Sequence, residues 1–359
     1  PNVIVVMNEA FADWAVDGDI KASAEYMPFY KSIKENAIKG YAHVSAFGGR
    51  TANSEYEFLT GMSMAFYPTG TVPFQHSMKH DMDSFTRQLE DLNYGGLDAV
   101  HPFKGSGYNR IDAYEKLGFD RFYTMDDFEN PKLLRKYISD EADYEKLFEL
   151  YEEHENSAEG KKGQPFYIFN VTMQNHGDYA TGYDNLPITI TSGIKDVPEG
   201  ANRYLTLIKK SDEALEVLLD YFSDKEPTIV VFFGDHQPSM SDEFYEKLMA
   251  ETADTQEKMV NRQKVPYMIW ANYDISGTVD QIAGEGVDAE NISLNYLSTL
   301  VTDTAGLPKT GFQLFLEEAR QEIPVINAFY YIGKDGKVYT MGDESPYEDI
   351  IKKYRYFQY

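Results

Sequence analysis

The chain of 359 residues contains no cysteine. This absence excludes disulfide bonds, thiolate metal sites and a cysteine nucleophile. It is compatible with a secreted protein that does not depend on disulfides and also with many cytosolic proteins, so it leaves the compartment open.

Positive charge is scarce. The chain has 33 Lys and Arg residues against 59 Asp and Glu residues, a net charge of −26. Nucleic-acid binding is therefore not expected, because phosphate backbones are bound by basic patches. Simple docking onto an anionic membrane surface is disfavoured for the same reason. An anionic substrate would have to meet positive charge within the site, from a bound metal ion or a few Arg and His residues.

Long hydrophobic runs are also absent, since none approaches the roughly 20 residues that cross a bilayer, and no signal peptide is recognisable. The chain begins directly on a predicted strand, without an initiator Met, in the segment "PNVIVVMNEAF". We expect it to be a fragment of a longer protein. A hydrophobic content of 42% is typical of a folded globular domain.

Short apolar runs alternate with segments of helical periodicity. The runs predict strands at 2–7, 164–173, 227–233 and 265–272. The periodic segments predict helices at 82–94, 139–155, 201–222 and 293–307. Strands separated by helices indicate an α/β fold with a mostly parallel central sheet flanked by helices.

The C-terminal part differs in character. Residues 326–341 predict two strands around the turn Lys334-Asp335-Gly336, and a helix closes the chain. We therefore expect a large domain at 1–320 and a small α+β subdomain at 321–359. Residues 181–200 predict a long loop.

Polar residues follow three of the predicted strands. Glu9 follows the first strand, Asn175 and His176 follow the strand at 164–173, and Asp235 and His236 follow the strand at 227–233. Each has an ordinary alternative explanation, as a helix cap or a hydrogen-bonded turn. Because the carboxyl ends of parallel strands meet at one edge of a sheet, their joint placement predicts a site there.

Two carboxylates and an imidazole, from Glu9, Asp235 and His236, suit one divalent cation. We expect Mn²⁺, with Mg²⁺ and Zn²⁺ as alternatives. Thr51, in "FGGRTANSEYEFLTG", precedes a predicted helix and is a candidate fourth ligand. A hydroxyl at that position normally caps a helix, whereas a neighbouring cation would make it a suitable nucleophile.

Five segments together resemble the lipoteichoic acid synthase family of phosphoglycerol transferases, within the sulfatase and alkaline phosphatase superfamily. In chain order they are "NVIVVMNEAF", "GGRTANSEYEF", "HPFKGSGYNR", "VTMQNHGDY" and "FFGDHQP". The resemblance covers nearly the whole chain. It implies an alkaline phosphatase/sulfatase-like fold in which Glu9, Thr51, Asp235 and His236 hold one Mn²⁺ and Thr51 is the nucleophile that takes up glycerol phosphate.

The resemblance also implies the substrate contacts. His101, Tyr108, Arg110 and Asn175 are expected to bind substrate, and His176 is expected to take part in catalysis. Tyr108 stands where close lipoteichoic acid synthases carry Trp, and the pair Gln237-Pro238 also departs from their pattern. Sulfatases proper need a Cys or Ser in a Cys/Ser-x-Pro-x-Arg setting, which "RTANSE" does not match.

The expected function is metal-dependent transfer of glycerol phosphate from a phosphatidylglycerol-type lipid, through phospho-Thr51, to a lipoteichoic-acid-type, glycan or glycolipid acceptor. The alternative is a metal-dependent phosphodiesterase or phosphatase that transfers to water. A non-catalytic scaffold is disfavoured because the chain retains every expected metal ligand and the expected threonine nucleophile. The resemblance further implies membrane helices before Pro1 and a catalytic domain on the extracellular side of a bacterial, Gram-positive cell membrane.

Overall fold

The structure of the protein is a computed structural model, which describes residues 1–18, 20–158, 160–249, 254–284 and 291–358. Its strands, in chain order, are β1 (Asn2–Asn8), β2 (Ala37–His43), β3 (Gly95–His101), β4 (Arg121–Thr124), β5 (Leu133–Leu134), β6 (Tyr137–Ile138), β7 (Phe166–Val171), β8 (Thr228–Gly234), β9 (Lys264–Ala271), β10 (Asn291–Ser293), β11 (Val325–Ile326), β12 (Tyr331–Ile332) and β13 (Val338–Tyr339).

Helices cover both faces of the main sheet. The α-helices are α1 (Pro28–Ser32), α2 (Thr51–Thr60), α3 (Pro73–His76), α4 (Phe85–Asp91), α5 (Arg110–Lys116), α6 (Asp140–Asn156), α7 (Glu199–Ser223), α8 (Asp242–Leu248), α9 (Thr255–Asn261), α10 (Ser276–Gly284), α11 (Leu297–Thr304), α12 (Gly311–Glu322) and α13 (Glu348–Gln358). Short 3₁₀ turns lie at Trp14–Val16, Met64–Phe66, Gly107–Asn109, Met125–Asp127, Gly160–Lys162 and Leu294–Tyr296.

The main sheet has the strand order β10-β2-β9-β8-β1-β7-β3-β4. All neighbouring pairs are parallel except the two that β9 makes, with β2 and with β8. The expected mostly parallel α/β sheet is confirmed. β8 ends with Gly234 and β9 begins with Lys264 at the same edge of the sheet, so the two strands run in opposite directions.

The central strand β1 shows how alternation builds two cores. Val3, Val5 and Met7 belong to the core on the α2 and α11 side. Ile4 and Val6 belong to the core on the α6 and α7 side. All residues of β1 are buried, as expected for a parallel strand covered on both faces.

The C-terminal elements pack around a third core. The sheet β11-β12-β13 is antiparallel, and β12 pairs with β13 across the predicted turn at 334–336. Phe315 of α12 packs in the same cluster as Tyr331 and Tyr354. The expected boundary at 320/321 therefore falls inside α12, which belongs with the C-terminal elements. None of the helices in the described ranges is both long and apolar enough to cross a membrane.

Candidate metal centre and active site

Four adjacent strands of the sheet, β8, β1, β7 and β3, end at the same edge and carry the candidate site. Glu9 follows β1, and Asp235 and His236 follow β8; the register pairs Asn8 with Gly234. His236 Nε2 lies 3.2 Å from Asp235 Oδ2 and 3.7 Å from Glu9 Oε1. One ligand atom from each of the three residues lies within 4.8 Å of the others, and all three residues are buried.

The hydrogen bonds around this cluster leave its inward-facing atoms free. Asp235 Oδ1 accepts from the backbone N–H groups of Ala10 (2.7 Å) and His236 (2.8 Å). His236 Nδ1 donates to the Gln237 carbonyl (2.9 Å). Asp235 Oδ2 and His236 Nε2 are buried and have no hydrogen-bond partner among the described residues. Buried polar atoms without partners are costly, so this arrangement fits a bound cation.

The electrostatics agree with that fit. Burial, and next the Asp235 carboxylate, raise the pKa of Glu9 well above its ordinary value. A cation bound between the carboxylates would oppose this shift, because it stabilises the charged form of Glu9. Two carboxylate oxygens and one imidazole nitrogen suit Mn²⁺, Mg²⁺ or Zn²⁺.

Thr51 begins α2 rather than capping it. The capping position is held by Arg50, with no side-chain cap bond. Three residues in succession, Gly48, Gly49 and Arg50, have φ values of +63°, +148° and +68°. Because of this turn, the Thr51 hydroxyl is not used as the helix cap. Its Oγ lies 3.5 Å from Glu9 Oε2.

The turn and α2 are bonded to the ligand loop after β8. Ser54 Oγ donates to the Asp235 carbonyl (2.6 Å), and the Gly48 N–H donates to the Gln237 carbonyl (3.0 Å). The Gln237 carbonyl thus receives bonds from both the turn and the His236 imidazole. The position of Thr51 is therefore set relative to Asp235 and His236.

A cavity of about 340 Å³ opens at this cluster. Its walls include most of the residues that the sequence predicted for the site: Glu9, Thr51, His101, Tyr108, Arg110, His176 and His236. Further walls come from Gly48, Gly49, Gln75, Phe103, Gly107, Met173, Gly177, Tyr179 and Ser239.

Arg110 is buried against Glu55 rather than exposed on the surface. Its Nε lies 3.0 Å and 3.1 Å from the two Glu55 oxygens, and its Nη2 lies 2.5 Å from Oε1. Tyr114 donates a further bond to Glu55 (2.6 Å). This fork occupies Nε and Nη2 and leaves Nη1 as the guanidinium nitrogen available to a cavity ligand.

His101 is held in one orientation by its backbone partner. Its Nδ1 donates to the Val171 carbonyl (2.8 Å), which leaves Nε2 as an acceptor. Burial, followed by the nearby Arg110 guanidinium, lowers the pKa of His101 well below its ordinary value. In the free protein, His101 is therefore suited to accept a hydrogen bond from a hydroxyl.

Tyr108 adopts a backbone conformation that is rare for a bulky residue, with φ +53°. Its hydroxyl accepts from the Arg50 N–H (3.2 Å), and its ring lies 5.3 Å from the Arg110 guanidinium carbon. Strain of this kind persists where surrounding contacts enforce it, commonly at functional sites. Here it places an aromatic ring over the candidate phosphate ligand.

His176 lies at the exposed mouth of the cavity. Its Nδ1 is 3.3 Å from the Tyr137 hydroxyl and 3.2 Å from the Gly177 carbonyl. Partial burial lowers the pKa of His176 from its ordinary value. The imidazole is thus neutral at pH 7 and open to solvent on one side.

Asn175 does not line the cavity. Its side-chain amide donates to Asn8 Oδ1 (3.1 Å) and Ser211 Oγ (2.8 Å), inside a buried polar network. The structure thus differs from the expected substrate contact, because these bonds turn the amide into the protein interior. Asn175 instead fixes the loop that carries His176.

Sequence reasoning missed Glu55, Tyr137 and Tyr179. Glu55 carried a signal, since an acidic residue four positions after Thr51 on a buried helix needs a cationic partner. Tyr137 and Tyr179 lie in irregular or short segments, and no sequence pattern connects them to the cavity.

Comparisons with known proteins agree with this geometry. The family profile described as Sulfatase matches residues 1–307. The chain belongs to the sulfatase family. This membership confirms the superfamily expected from the motifs and makes the chain an enzyme domain.

One curated relative of this sulfatase-family domain is a Rhizobium meliloti (strain 1021) protein named for cyclic β-1,2-glucan modification. It is 28% identical over 348 residues, which cover 94% of this chain and 50% of that protein. The chain spans about half the length, or less, of the curated relatives it matches.

Two solved structures show the same fold. The Streptococcus pyogenes phosphoglycerol transferase GacH, in complex with sn-glycerol-1-phosphate, has a TM-score of 0.76 and 19% identity, covering 100% of this chain and 85% of that chain. The Listeria monocytogenes lipoteichoic acid synthase LtaP has a TM-score of 0.67 and 19% identity, covering 98% of this chain and 88% of that chain.

Proposed function

We propose that this domain is a metal-dependent phosphoglycerol transferase. It takes glycerol phosphate from a phosphatidylglycerol-type lipid, holds it on Thr51 and passes it to a glycan, glycolipid or lipoteichoic-acid-type acceptor. One observation carries the proposal. The Thr51 hydroxyl, which does not cap the helix, lies 3.5 Å from Glu9 and faces the same cavity as Arg110 and the candidate metal ligands.

Glu9, Thr51, Asp235 and His236 would hold the metal ion, for which we propose Mn²⁺. When bound, the ion supplies positive charge that neutralises the phosphate and favours the ionised form of the threonine hydroxyl. That charge is needed because the chain as a whole is strongly negative.

The first step forms a bond between Thr51 Oγ and phosphorus and breaks the bond from phosphorus to the diacylglycerol oxygen. Thr51 gives up its proton, and diacylglycerol leaves with one. We propose that the neutral His176 imidazole takes up the Thr51 proton and passes it to the leaving oxygen, since imidazole gains and loses a proton near neutral pH and this one lies at the cavity mouth.

The other cavity residues would compensate the negative charge of the phosphoryl group and align it. Arg110 Nη1 would bind a phosphate oxygen, because Glu55 already occupies Nε and Nη2. His101 Nε2, an acceptor, would take a hydrogen bond from a glycerol hydroxyl. Tyr108 would cover the group from the Arg110 side.

The test uses a fluorescent phosphatidylglycerol, Mn²⁺ and the purified domain. Diacylglycerol release should depend on the metal and should fall at least about 10³-fold in Thr51→Ala, the scale typical of a lost nucleophile. Mn²⁺ binding, measured by calorimetry, should weaken but persist in this variant, because three ligands remain. Wild-type turnover in Thr51→Ala would disprove the phospho-threonine intermediate.

Transfer to water is the second candidate, favoured by the solvent exposure of His176. The same assay separates the two when an alcohol acceptor is added. Glycerol phosphate that appears only in free form indicates a hydrolase, whereas labelled acceptor indicates a transferase.

We further propose that the domain acts at the outer face of a bacterial cell membrane, where a phosphatidylglycerol-type donor is found. The support for this proposal is the similarity to proteins named as a phosphoglycerol transferase and a lipoteichoic acid synthase, because the proposed donor of glycerol phosphate is a membrane lipid. Nucleic acid is not an expected partner, because the net charge is −26.

A further inference from the structure

Asp140 carries a fully buried carboxylate that the proposed mechanism does not use. It is the first residue of α6. Its Oδ2 accepts hydrogen bonds from Asn8 Nδ2 (2.9 Å), Ser211 Oγ (2.5 Å) and Gln174 Nε2 (3.3 Å). These donors come from the end of β1, from α7 and from the segment after β7. One carboxylate oxygen therefore joins four parts of the chain that are distant in sequence.

Asn175 closes a ring of hydrogen bonds at this oxygen. Its Nδ2 donates to Asn8 Oδ1 (3.1 Å) and to Ser211 Oγ (2.8 Å), and these two residues donate in turn to Asp140. All four residues are fully buried, and they are called the Asp140 ring below. Burial raises the pKa of Asp140 to about 6, so its carboxylate is ionised at pH 7 and can only accept. The Ser211 hydroxyl has one proton, which it gives to Asp140, so the direction of each bond in the ring is determined.

Two members of the Asp140 ring are followed directly by site residues. Asn8 precedes the candidate metal ligand Glu9, and Asn175 precedes His176. Both site residues lie beyond the ends of their strands, β1 and β7. Because the hydrogen bonds of the sheet no longer hold the chain at these positions, side-chain bonds set its course there.

The segment 174–176 is held from two sides. The backbone N–H of Asp140 donates to Gln174 Oε1 (3.1 Å), which ties the segment to α6. Arg135 Nη2 donates to the carbonyls of Gln174 (2.6 Å) and His176 (2.8 Å). The backbone of His176 is thus fixed, whereas its imidazole lies at the cavity mouth.

Building on the proposed function, we propose that Asp140 is a positioning residue of this active site. Through one carboxylate oxygen it fixes the segment that carries Glu9 relative to the segment that carries His176. The proposed proton transfer needs this fixed separation, because His176 must reach the Thr51 oxygen while Glu9 holds the metal ion. Partners behind metal ligands commonly contribute about 10- to 100-fold to metal affinity or activity.

Asp140→Asn tests this role. Asparagine keeps the shape of the side chain and removes the negative charge that holds three donors at one oxygen. The affinity for Mn²⁺, measured by calorimetry, should fall about ten-fold. At saturating Mn²⁺, kcat for diacylglycerol release should also fall about ten-fold or more. KM for fluorescent phosphatidylglycerol should stay within about two-fold of wild type, because Arg110 is held separately by Glu55.

Asp143→Asn is the matched control. Asp143 lies one turn later on α6 and is equally buried, but its carboxylate bonds Asn170 within β7 (3.0 Å) and no member of the Asp140 ring. This variant should keep Mn²⁺ affinity and kcat within about two-fold of wild type, whatever its effect on stability. Equal losses in Asp140→Asn and Asp143→Asn would overturn the proposal.

Ser211→Ala opens the same ring from α7 and decides the question if Asp140→Asn does not fold. It should lower Mn²⁺ affinity and kcat in the same direction as Asp140→Asn. Because both substitutions act on one ring, the double variant should lose no more than about two-fold beyond the larger single loss. Losses that multiply would show that the two residues act separately and would overturn the shared role.

Two measurements without lipid separate this inference from the proposed function. Mn²⁺ affinity and the NMR signals of the His176 imidazole should change in Asp140→Asn and Ser211→Ala, and should stay as in wild type in Asp143→Asn. If diacylglycerol release fails in wild type but this pattern holds, the proposed donor is wrong and the positioning role stands. If release succeeds and the three variants behave alike, the positioning role is wrong.

Discussion

Glu55 is the residue that connects the proposed nucleophile, Thr51, with the proposed phosphate ligand, Arg110. It lies on α2 four positions after Thr51, is fully buried, and holds Arg110 through Nε and Nη2. Buried ion pairs of this kind are costly to break, since the remaining charge loses its partner. We expect Glu55 to set the direction of the free Arg110 nitrogen.

Glu55→Gln tests this role. The amide keeps one acceptor oxygen but loses the negative charge and the second acceptor, which binds Arg110 Nε and the Tyr114 hydroxyl. Arg110 should therefore be held less firmly, and kcat/KM for phosphatidylglycerol should fall about 10²-fold. Steady-state kinetics and thermal unfolding give the two readouts. Glu57→Gln is the matched control, because Glu57 lies on the same helix, is equally buried and bonds Ser45 and Met64 instead of Arg110. A similar loss of activity in both variants would mean that Glu55 is merely structural.

The sequence predicts which residues lie close together at the sheet edge where they directly follow a buried strand. Glu9, Asp235 and His236 were placed together because each comes immediately after a run of apolar, β-prone residues. Asn175 met the same criterion and lies elsewhere, since its direction depends on Ser211 of α7. Contacts between segments distant in sequence cannot be read from a local pattern.

At the scale of elements, the turn that precedes α2, Gly48-Gly49-Arg50, decides where Thr51 lies. Gly49 has φ +148°, a conformation that other residues rarely adopt, although a Cβ there would meet no neighbour within 4 Å. Gly49→Ala should therefore act through backbone strain alone. We expect it to displace Thr51 and lower kcat about ten-fold or more, with a stability cost of about 1–2 kcal/mol.

Gly336→Ala is the control for this strain. Gly336 has φ +74° and equally open surroundings, but it lies in the turn between β12 and β13. It should lower the free energy of unfolding by a similar amount and leave kcat unchanged. Equal kcat values for Gly49→Ala and wild type would show that the position of Thr51 does not depend on the conformation of the turn before α2.

Elements with strong periodicity were predicted with bounds close to those observed. The helix expected at 201–222 is α7, Glu199–Ser223, and Ser139 caps α6 as predicted. The sequence did not reveal β2, whose burial is mixed because it lies towards the side of the sheet. The direction of β9 was also beyond prediction, since a strand's own residues do not encode which way the chain enters it.

At the scale of the whole molecule, buried acids should make the metal-free domain sensitive to pH. Burial raises the pKa of Asp17 and of Glu57 to about 7 in each case. The unfolded chain releases these protons near pH 4, so the stabilising contribution is complete below that pH and is lost as pH rises towards 7. The net charge of −26 acts in the same direction.

We therefore expect the free energy of unfolding in EDTA to fall by roughly 2 kcal/mol or more between pH 5 and pH 8, from urea titrations. Glu57→Gln should flatten this dependence. Mn²⁺ should reverse it, because ionised Glu9 binds the cation more tightly as pH rises. A metal-free domain that is as stable at pH 8 as at pH 5 would contradict the assigned protonation states.

The part of the active-site cavity wall formed by Gly177, Tyr179 and Ser239 has a consequence for inheritance. Thr51 and Glu55 lie on one buried helix, whereas this wall is built from irregular segments. After gene duplication, a copy could exchange residues in these segments and acquire a new recipient for the same phosphoryl group. Lineages of this fold should accordingly diverge fastest along that wall, while the helix that carries the proposed nucleophile changes little.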